Sequence, residues 1–202
     1  MIRVAVVDDQ ALVRGALAAL LALEDDIEVV GTAATGAEAV ALAREDGAID
    51  VVLMDVEMPD MDGLEACAQI RAACPATRVL IVTTFGRVGY VRRAFAAGAS
   101  GFTVKDSPPD QLARDVRTVA GGGRVVDPQL ATDSLAVGIN PLTPRERDVL
   151  IACEDGGTID DIARALHVSP GTVRNHVSAA IGKTQARTRV DAARIARENG
   201  WL

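Results

Sequence analysis

Three aspartates, a threonine and a lysine stand at the ends of short aliphatic runs. Asp8 and Asp9 follow residues 4–7, Asp55 follows 51–54, Thr83 follows 79–82, and Lys105 follows 102–104. Three carboxylates gathered in one place repel one another and resist ionisation. A hard cation such as Mg²⁺ relieves that repulsion, because it takes one or two carboxylates together with waters and phosphate oxygens. An ammonium beside it supplies a point charge for a phosphoryl oxygen, and a hydroxyl donates to another. Asp55 is then a nucleophile able to form an acyl phosphate. Any one of these residues alone reads as a solvated strand end. Five of suitable type at four strand ends read as a site.

Such convergence needs a scaffold that brings separated strand ends together. The runs at 4–7, 28–32, 51–54, 79–82 and 102–104 are aliphatic and rich in β-branched residues. Helical spacing fills the intervals, at 11–23, 37–44, 64–73, 91–97 and 112–119, with Pro75 and the triplet Gly121-Gly122-Gly123 as stops. Continuous apolar strands alternating with helices predict a parallel sheet covered on both faces. Five βα units in this length fit a doubly wound, flavodoxin-like α/β fold, whose ligands bind beyond the carboxyl ends of the strands. The polar residues stand at those ends.

The rhythm then stops. Three glycines, Pro128 and Pro141 bracket a stretch of weak periodicity, and everything after it reads as helix. The expected division is a first domain at 1–121, a linker at 122–140 and an all-α, four-helix domain at 141–202. Thr143-Pro144-Arg145-Glu146 is a capping box with proline at the first helical position. Thr158 and Ser169-Pro170 begin two more helices, and residues 187–198 form a fourth. The short interval from Leu166 to Ser169 makes the middle pair a helix-turn-helix, whose second helix can enter the major groove of DNA.

Composition supports a folded chain and excludes several classes. Of 202 residues, 49% are hydrophobic and 24% charged, enough to bury a core. Cys67, Cys74 and Cys153 are too few and too scattered for a disulfide framework or a thiolate zinc site. The apolar run at 16–23 is far shorter than a membrane span, and the four apolar residues before Asp8 leave no room for a signal-peptide core, so a cytoplasmic protein with no membrane insertion is expected. The net charge of −7 hides an asymmetry. Residues 1–127 carry 12 basic and 19 acidic side chains, whereas 169–197 carry six basic ones against Asp191 alone. A basic stretch at one end of an acidic chain is a local footprint for nucleic acid.

The stretches Val6-Val7-Asp8-Asp9-Gln10, Leu53-Met54-Asp55-Val56-Glu57-Met58-Pro59-Asp60-Met61-Asp62-Gly63, Val82-Thr83-Thr84 and Gly101-Phe102-Thr103-Val104-Lys105 occur in order. Together they resemble the receiver domain of bacterial two-component response regulators. That resemblance implies that Asp55 accepts phosphate from the phosphohistidine of a sensor histidine kinase. It implies that Asp9 and Asp55 ligate Mg²⁺ directly, Asp8 through water and Glu57 through its backbone carbonyl. It further implies that Lys105 and Thr83 bind the phosphoryl group, that Thr83 and Phe102 form a conformational switch, and that a surface over about 88–120 responds; the mixed charges there suit a homodimer contact and equally an ordinary solvated face. The receiver is expected to catalyse its own Mg²⁺-dependent phosphotransfer and dephosphorylation while the protein acts as a transcription regulator, not a turnover enzyme.

The later stretch Leu142-Thr143-Pro144-Arg145-Glu146-Arg147, then Ile162-Ala163, Ser169, Thr172-Val173-Arg174 and His176-Val177, resembles the LuxR-type DNA-binding domain. With the receiver in front, the chain resembles the NarL/FixJ family. By matched position, Arg174, Asn175 and Ser178 face base edges in double-stranded DNA; arginine pairs bidentately with guanine and asparagine with adenine. Thr172 and Lys183 touch phosphates, which position without specifying, and the last helix supplies a DNA-bound dimer contact. Three residues depart from the pattern: Ala180, Gly182 and Thr184. Glycine is about 1 kcal/mol worse than alanine inside a helix, so the recognition helix is expected to end early or bend near Gly182. Residues 8–13 and 23–31 and the closing Asn199-Gly200-Trp201-Leu202 look most like the DesR-type branch, which governs membrane-lipid desaturase genes.

Two other chemistries fit less well. An aspartate-nucleophile phosphatase needs a second aspartate two residues after the first, beyond strand one, and Asp8-Asp9-Gln10-Ala11 lacks it. Gly31-Thr32-Ala33-Ala34-Thr35-Gly36 is followed by Ala37-Glu38 rather than the lysine and hydroxyl of a P-loop. The remaining alternative is a DNA-binding regulator that works without phosphorylation, its receiver vestigial. The complete acidic set argues against it.

Overall fold

The structure, a computed structural model, describes all residues except 46–47, 85–87, 129, 133–139 and 155. Its contacts divide the chain into two units, one formed by 1–86 and 91–131, the other by 87–90 and 132–202. Much of the stretch read as a linker, 133–139, lies outside the described residues.

The first unit alternates strand and helix: β1 (Ile2–Val7), α1 (Ala11–Leu21), β2 (Ile27–Ala33), α2 (Gly36–Glu45), β3 (Val51–Met54), α3 (Gly63–Ala73), β4 (Arg78–Thr83), α4 (Val88–Ala96), β5 (Gly101–Val104), α5 (Pro109–Ala120) and β6 (Val125–Val126). The strands pair in parallel in the order β2-β1-β3-β4-β5-β6. This is the flavodoxin-like arrangement, with its switch point between β1 and β3, where strand order reverses and a crevice opens. The central strands are aliphatic on both faces because helices cover both, and Val51, Val52, Leu53 and Met54 are all buried. Val4, Val6, Leu53, Leu80 and Val82 pack on one face against Leu17, Leu21, Leu112 and Val116.

The sixth strand falls inside the stretch read as a linker. Val125 and Val126 pair with Gly101 and Phe102. Two residues are too few to show a period. One glycine is fixed by the site itself. A Cβ on Gly63 would lie 1.8 Å from the Asp55 carbonyl oxygen, so α3 begins directly against the backbone that carries Asp55. Asp62 caps that helix by accepting the Glu65 amide at 2.7 Å.

The described residues of the second unit include the helices α6 (Pro144–Glu154), α7 (Ile159–Ala165), α8 (Pro170–Thr184) and α9 (Arg189–Glu198). Thr158, Ser169 and Thr188 cap the last three through their hydroxyls, and Thr158 with Asp161 completes a capping box. Asp161 is therefore occupied at the start of α7, while Asp160 is exposed. Between α7 and α8, His167 takes a left-handed conformation, φ 54°, which reverses the chain within a few residues. One core cluster joins Val149, Cys153, Ile162, Ala163, Val173 and Val177. A second joins Leu142, Leu150, Ala180, Ala192, Ala193 and Ala196, with Trp201 packed on it.

The expected break near Gly182 does not occur. α8 runs unbroken to Thr184 and ends at Gln185, which is left-handed at φ 55°. Its buried stripe is Val173, Val177, Ala180 and Thr184, spaced as a helix requires. Thr184 fills a normally apolar place because its hydroxyl donates to the Ala180 carbonyl at 2.8 Å. Packing of that stripe outweighs the roughly 1 kcal/mol propensity loss at one glycine.

Candidate phosphoryl-transfer centre and recognition helix

The strand ends bring the acidic residues together. β1 delivers Asp8 and Asp9, and β3 delivers Asp55, whose amide donates to the Val7 carbonyl at 2.9 Å. One carboxylate oxygen from each of Asp8, Asp9 and Asp55 lies within 4.8 Å of the others. Asp8 and Asp55 are buried, and Asp9 is exposed at the mouth. β5 brings in Lys105, whose Nζ stands 2.7 Å from Asp8 Oδ2 and 3.1 Å from Asp55 Oδ2. Thr83 ends β4 fully buried, and its carbonyl accepts the Lys105 amide at 2.8 Å. Phe102 lies fully buried in β5. Glu57 is exposed two residues past Asp55.

Local hydrogen bonds aim the carboxylates. The Gln10 amide donates to Asp8 Oδ1 at 2.9 Å, and the Val56 amide donates to Asp55 Oδ1 at 2.8 Å. Burial raises the Asp55 pKa, and the nearby Lys105 ammonium only partly offsets it. For Lys105, burial pulls the pKa down, but the Asp8 and Asp55 carboxylates outweigh it and hold the ammonium charged. The site thus sets three carboxylates against the Lys105 ammonium. The buried Asp8 Oδ2 has its ion pair to Lys105 but no aligned hydrogen-bond donor. An all-oxygen donor set with such an atom fits a hard divalent cation of the Mg²⁺ kind.

One residue at this site escaped the sequence reading. Arg14 Nη1 donates to the Asp8 carbonyl at 2.6 Å. Its signal was present: Arg14 is the sole charge in the otherwise apolar helix α1. The cysteines are no competing nucleophiles. All three are free thiols, and burial pushes Cys67 up to about 12.

On the recognition helix, the exposed positions Arg174, Asn175 and Ser178 share one face with Gly171 and Gly182, opposite the buried stripe. Val173 and Val177 point into the core. Thr172 is half-buried beside the cap, its hydroxyl 2.8 Å from that of Ser169. Lys183 sits on the flank rather than the outer face. Its Nζ lies 2.7 and 2.9 Å from the two oxygens of Glu146, a buried carboxylate that also accepts the Thr143 amide at 2.7 Å. Burial pulls against ionisation of Glu146, yet Lys183 and Thr143 prevail and lower its pKa. Among the described residues, no helix is long and apolar enough to cross a membrane.

Comparison with known proteins matches both units. A family model described as the response regulator receiver domain matches residues 4–117. A second, described as bacterial regulatory proteins of the luxR family, matches 140–196. The transcriptional regulatory protein DesR of Bacillus subtilis is 41% identical over 202 residues, covering all of both chains. The crystal structure of the response regulator ChrA, from a heme-sensing two-component system, is 31% identical, with a TM-score of 0.59 over 100% of this chain and 98% of that one. An RcsB–DNA complex, 19% identical, superposes with a TM-score of 0.71 over 98% of each chain and shares the fold.

Proposed function

The chain belongs to the two-component response regulators, with a receiver and a LuxR-type DNA-binding domain, and from that premise we propose that phosphorylation of Asp55 controls its pairing on DNA. The family works with histidine kinases and DNA. The proposed division is receiver 1–121, linker 122–140 and DNA-binding domain 141–202, acting in the cytoplasm. The observation that carries the reading is the convergence of three carboxylates within 4.8 Å around a buried lysine.

In the proposed reaction, an Asp55 oxygen attacks the phosphorus of a kinase phosphohistidine. A P–O bond forms, the P–N bond breaks, and the imidazole nitrogen keeps the electron pair and takes a proton from solvent. Lys105 meets one phosphoryl oxygen as a point charge, and the Thr83 hydroxyl donates to another. Asp9 and Asp55, with the Glu57 carbonyl and Asp8 through water, would hold Mg²⁺, which when bound would supply charge neutralisation for the incoming phosphoryl group. The same residues serve the receiver's own phosphotransfer and dephosphorylation. The new acceptor oxygens draw Thr83 and Lys105 inward, and Phe102 couples that movement to the surface that pairs two copies.

The paired protein reads double-stranded DNA through Arg174, Asn175 and Ser178. Thr172 touches phosphate, and Lys183 reaches phosphate only by leaving Glu146. α9 supplies the contact between copies. Likeness to the DesR branch favours membrane-lipid genes as targets, which genome-wide mapping of binding sites tests.

The decisive experiment incubates the protein with a small acyl-phosphate donor and Mg²⁺. Intact mass should show one phosphoryl group per chain, lost in Asp55→Asn, with dimerisation and DNA affinity rising only in the wild type. Equal behaviour of wild type and Asp55→Ala would mean that DNA binding runs without phosphorylation.

A further inference from the structure

The amino-terminal rim of the sheet, at the other end of the strands from the acidic cage, holds a basic hollow. A cavity of about 230 Å³ is lined by Arg71, Arg78 and Arg124, with Ser100 and the turns at Gly98 and Gly122. No carboxylate lines it among the described residues. The arginines come from three places: the last turn of α3, the first residue of β4, and the residue before β6.

The bland account is that arginines here neutralise helix carboxyl ends. Three helices, α3, α4 and α5, end beside this hollow, each worth about half a negative charge. Three full positive charges exceed that. Arg71 does serve the bland role, since its Nη1 donates to the Pro75 and Thr77 carbonyls at 2.6 and 2.5 Å. Arg78 and Arg124 do not. Among the described residues, neither guanidinium has a hydrogen bond or ion pair. Arg124 lies over the Phe95 ring, 5.5 Å from its centroid, which fixes its plane and leaves its N–H edge open.

The turns keep the hollow open. Gly98 and Gly122 have φ of +92° and +85°, where a side chain is strained. A Cβ on Gly98 would also sit 3.2 Å from Arg71 Cγ, and one on Gly122 would stand 4.0 Å from Arg78 Nη2. Unspent guanidinium donors, a serine hydroxyl and no acid match the acceptors of a tetrahedral oxyanion. The volume lies below the roughly 300–1,000 Å³ of pockets for drug-sized ligands, so the occupant is small. We propose that this hollow binds a small multivalent phosphate, either the free ion or the phosphate end of a small ester. It is separate from the Asp55 centre and does not rest on the function proposed for it.

The test titrates the full chain, with a chelator present, against inorganic phosphate and glycerol 3-phosphate at constant ionic strength, following backbone amides by NMR. Saturable shifts at Gly98, Ser100, Gly122 and Gly123 are expected, in Asp55→Asn as in wild type. The double variant Arg78→Gln/Arg124→Gln should weaken binding about tenfold or more, since it removes charge-assisted hydrogen bonds from two guanidinium groups. Tighter saturation by the ester identifies an ester as occupant, and the reverse order the free ion. Shifts that match a chloride control, or that fall only on residues 170–184, overturn the proposal. Because mapping on the unmodified chain decides this, the result stands even where the double variant folds poorly.

Discussion

The acidic cage and the recognition helix handle charge in opposite ways. At the cage, Asp8 and Asp55 are buried and come from β1 and β3, and Lys105 arrives from β5 with 8% of its side chain exposed. Only the parallel sheet makes them neighbours; burial raises the Asp55 pKa, and the two carboxylates outweigh burial at Lys105 and keep it charged. On α8, Arg174, Asn175 and Ser178 lie within five residues and face solvent. The first arrangement builds repulsion that a bound cation relieves and an added phosphoryl charge increases, so it is suited to switching. The second presents side chains that change little until a partner arrives, so it is suited to reading. Chemistry that must respond to a small ligand is placed where solvent cannot screen it.

The comparison breaks most sharply at Lys105. Lys105→Gln leaves two buried carboxylates without their cation, and removing one partner of a buried pair costs about 3–5 kcal/mol. Urea unfolding should show a loss of that order in the receiver, with Mg²⁺ recovering part of it through binding to the folded state. No loss, or no recovery, would mean the cage is not strained. Arg174→Ala should leave stability unchanged and weaken a selected DNA site by about 1–3 kcal/mol, with relaxed preference at one base. Binding to random-sequence duplex in parallel separates lost reading from lost charge. Ser169→Ala removes the hydroxyl that caps α8 at 3.1 Å from the Thr172 amide. It should lower the stability of the helical unit by about 1 kcal/mol and leave acyl-phosphate labelling of Asp55 untouched.

The same contrast decides what could be read in advance. Strand and helix order was legible because aliphatic runs and 3.6-residue spacing are local signals, and polar residues at strand ends follow from the sheet rule. β6 was not, since Val125–Val126 is stabilised by its partner β5 and not by its own pattern. Asp8, Asp55 and Lys105 were legible as a group, whereas Arg14 left only a lone charge in an apolar helix as its signal, because its contact is with a backbone carbonyl that no motif encodes. The outer face of α8 was legible from its period. Continuity through Gly182 was not, because it depends on the Ala180 and Thr184 side chains packing on other helices.

The smallest expected effect lies at Glu146, the one buried carboxylate among the described residues of the helical unit, which pairs with Lys183 instead of facing DNA. Its pKa is held below the ordinary value by Lys183 and Thr143, which prevail over burial. A carboxylate with a depressed folded pKa stabilises the fold fully above its unfolded value, near 4.3. That contribution is lost as pH falls through the folded value. Glu146→Gln should therefore be less stable than wild type at neutral pH and lose less on acidification, so the two converge at low pH. Lys183 is 35% exposed and can turn to water, so the difference should stay at or below about 1 kcal/mol. The single tryptophan, Trp201, packs in the same cluster as Leu142 and Leu150, so its fluorescence follows this unit through urea unfolding at each pH. Parallel pH profiles for the two proteins would show that Lys183 is not held by Glu146 and is free to serve phosphate. Converging profiles place Lys183 with the scaffold, leaving Arg174, Asn175 and Ser178 to face the bases.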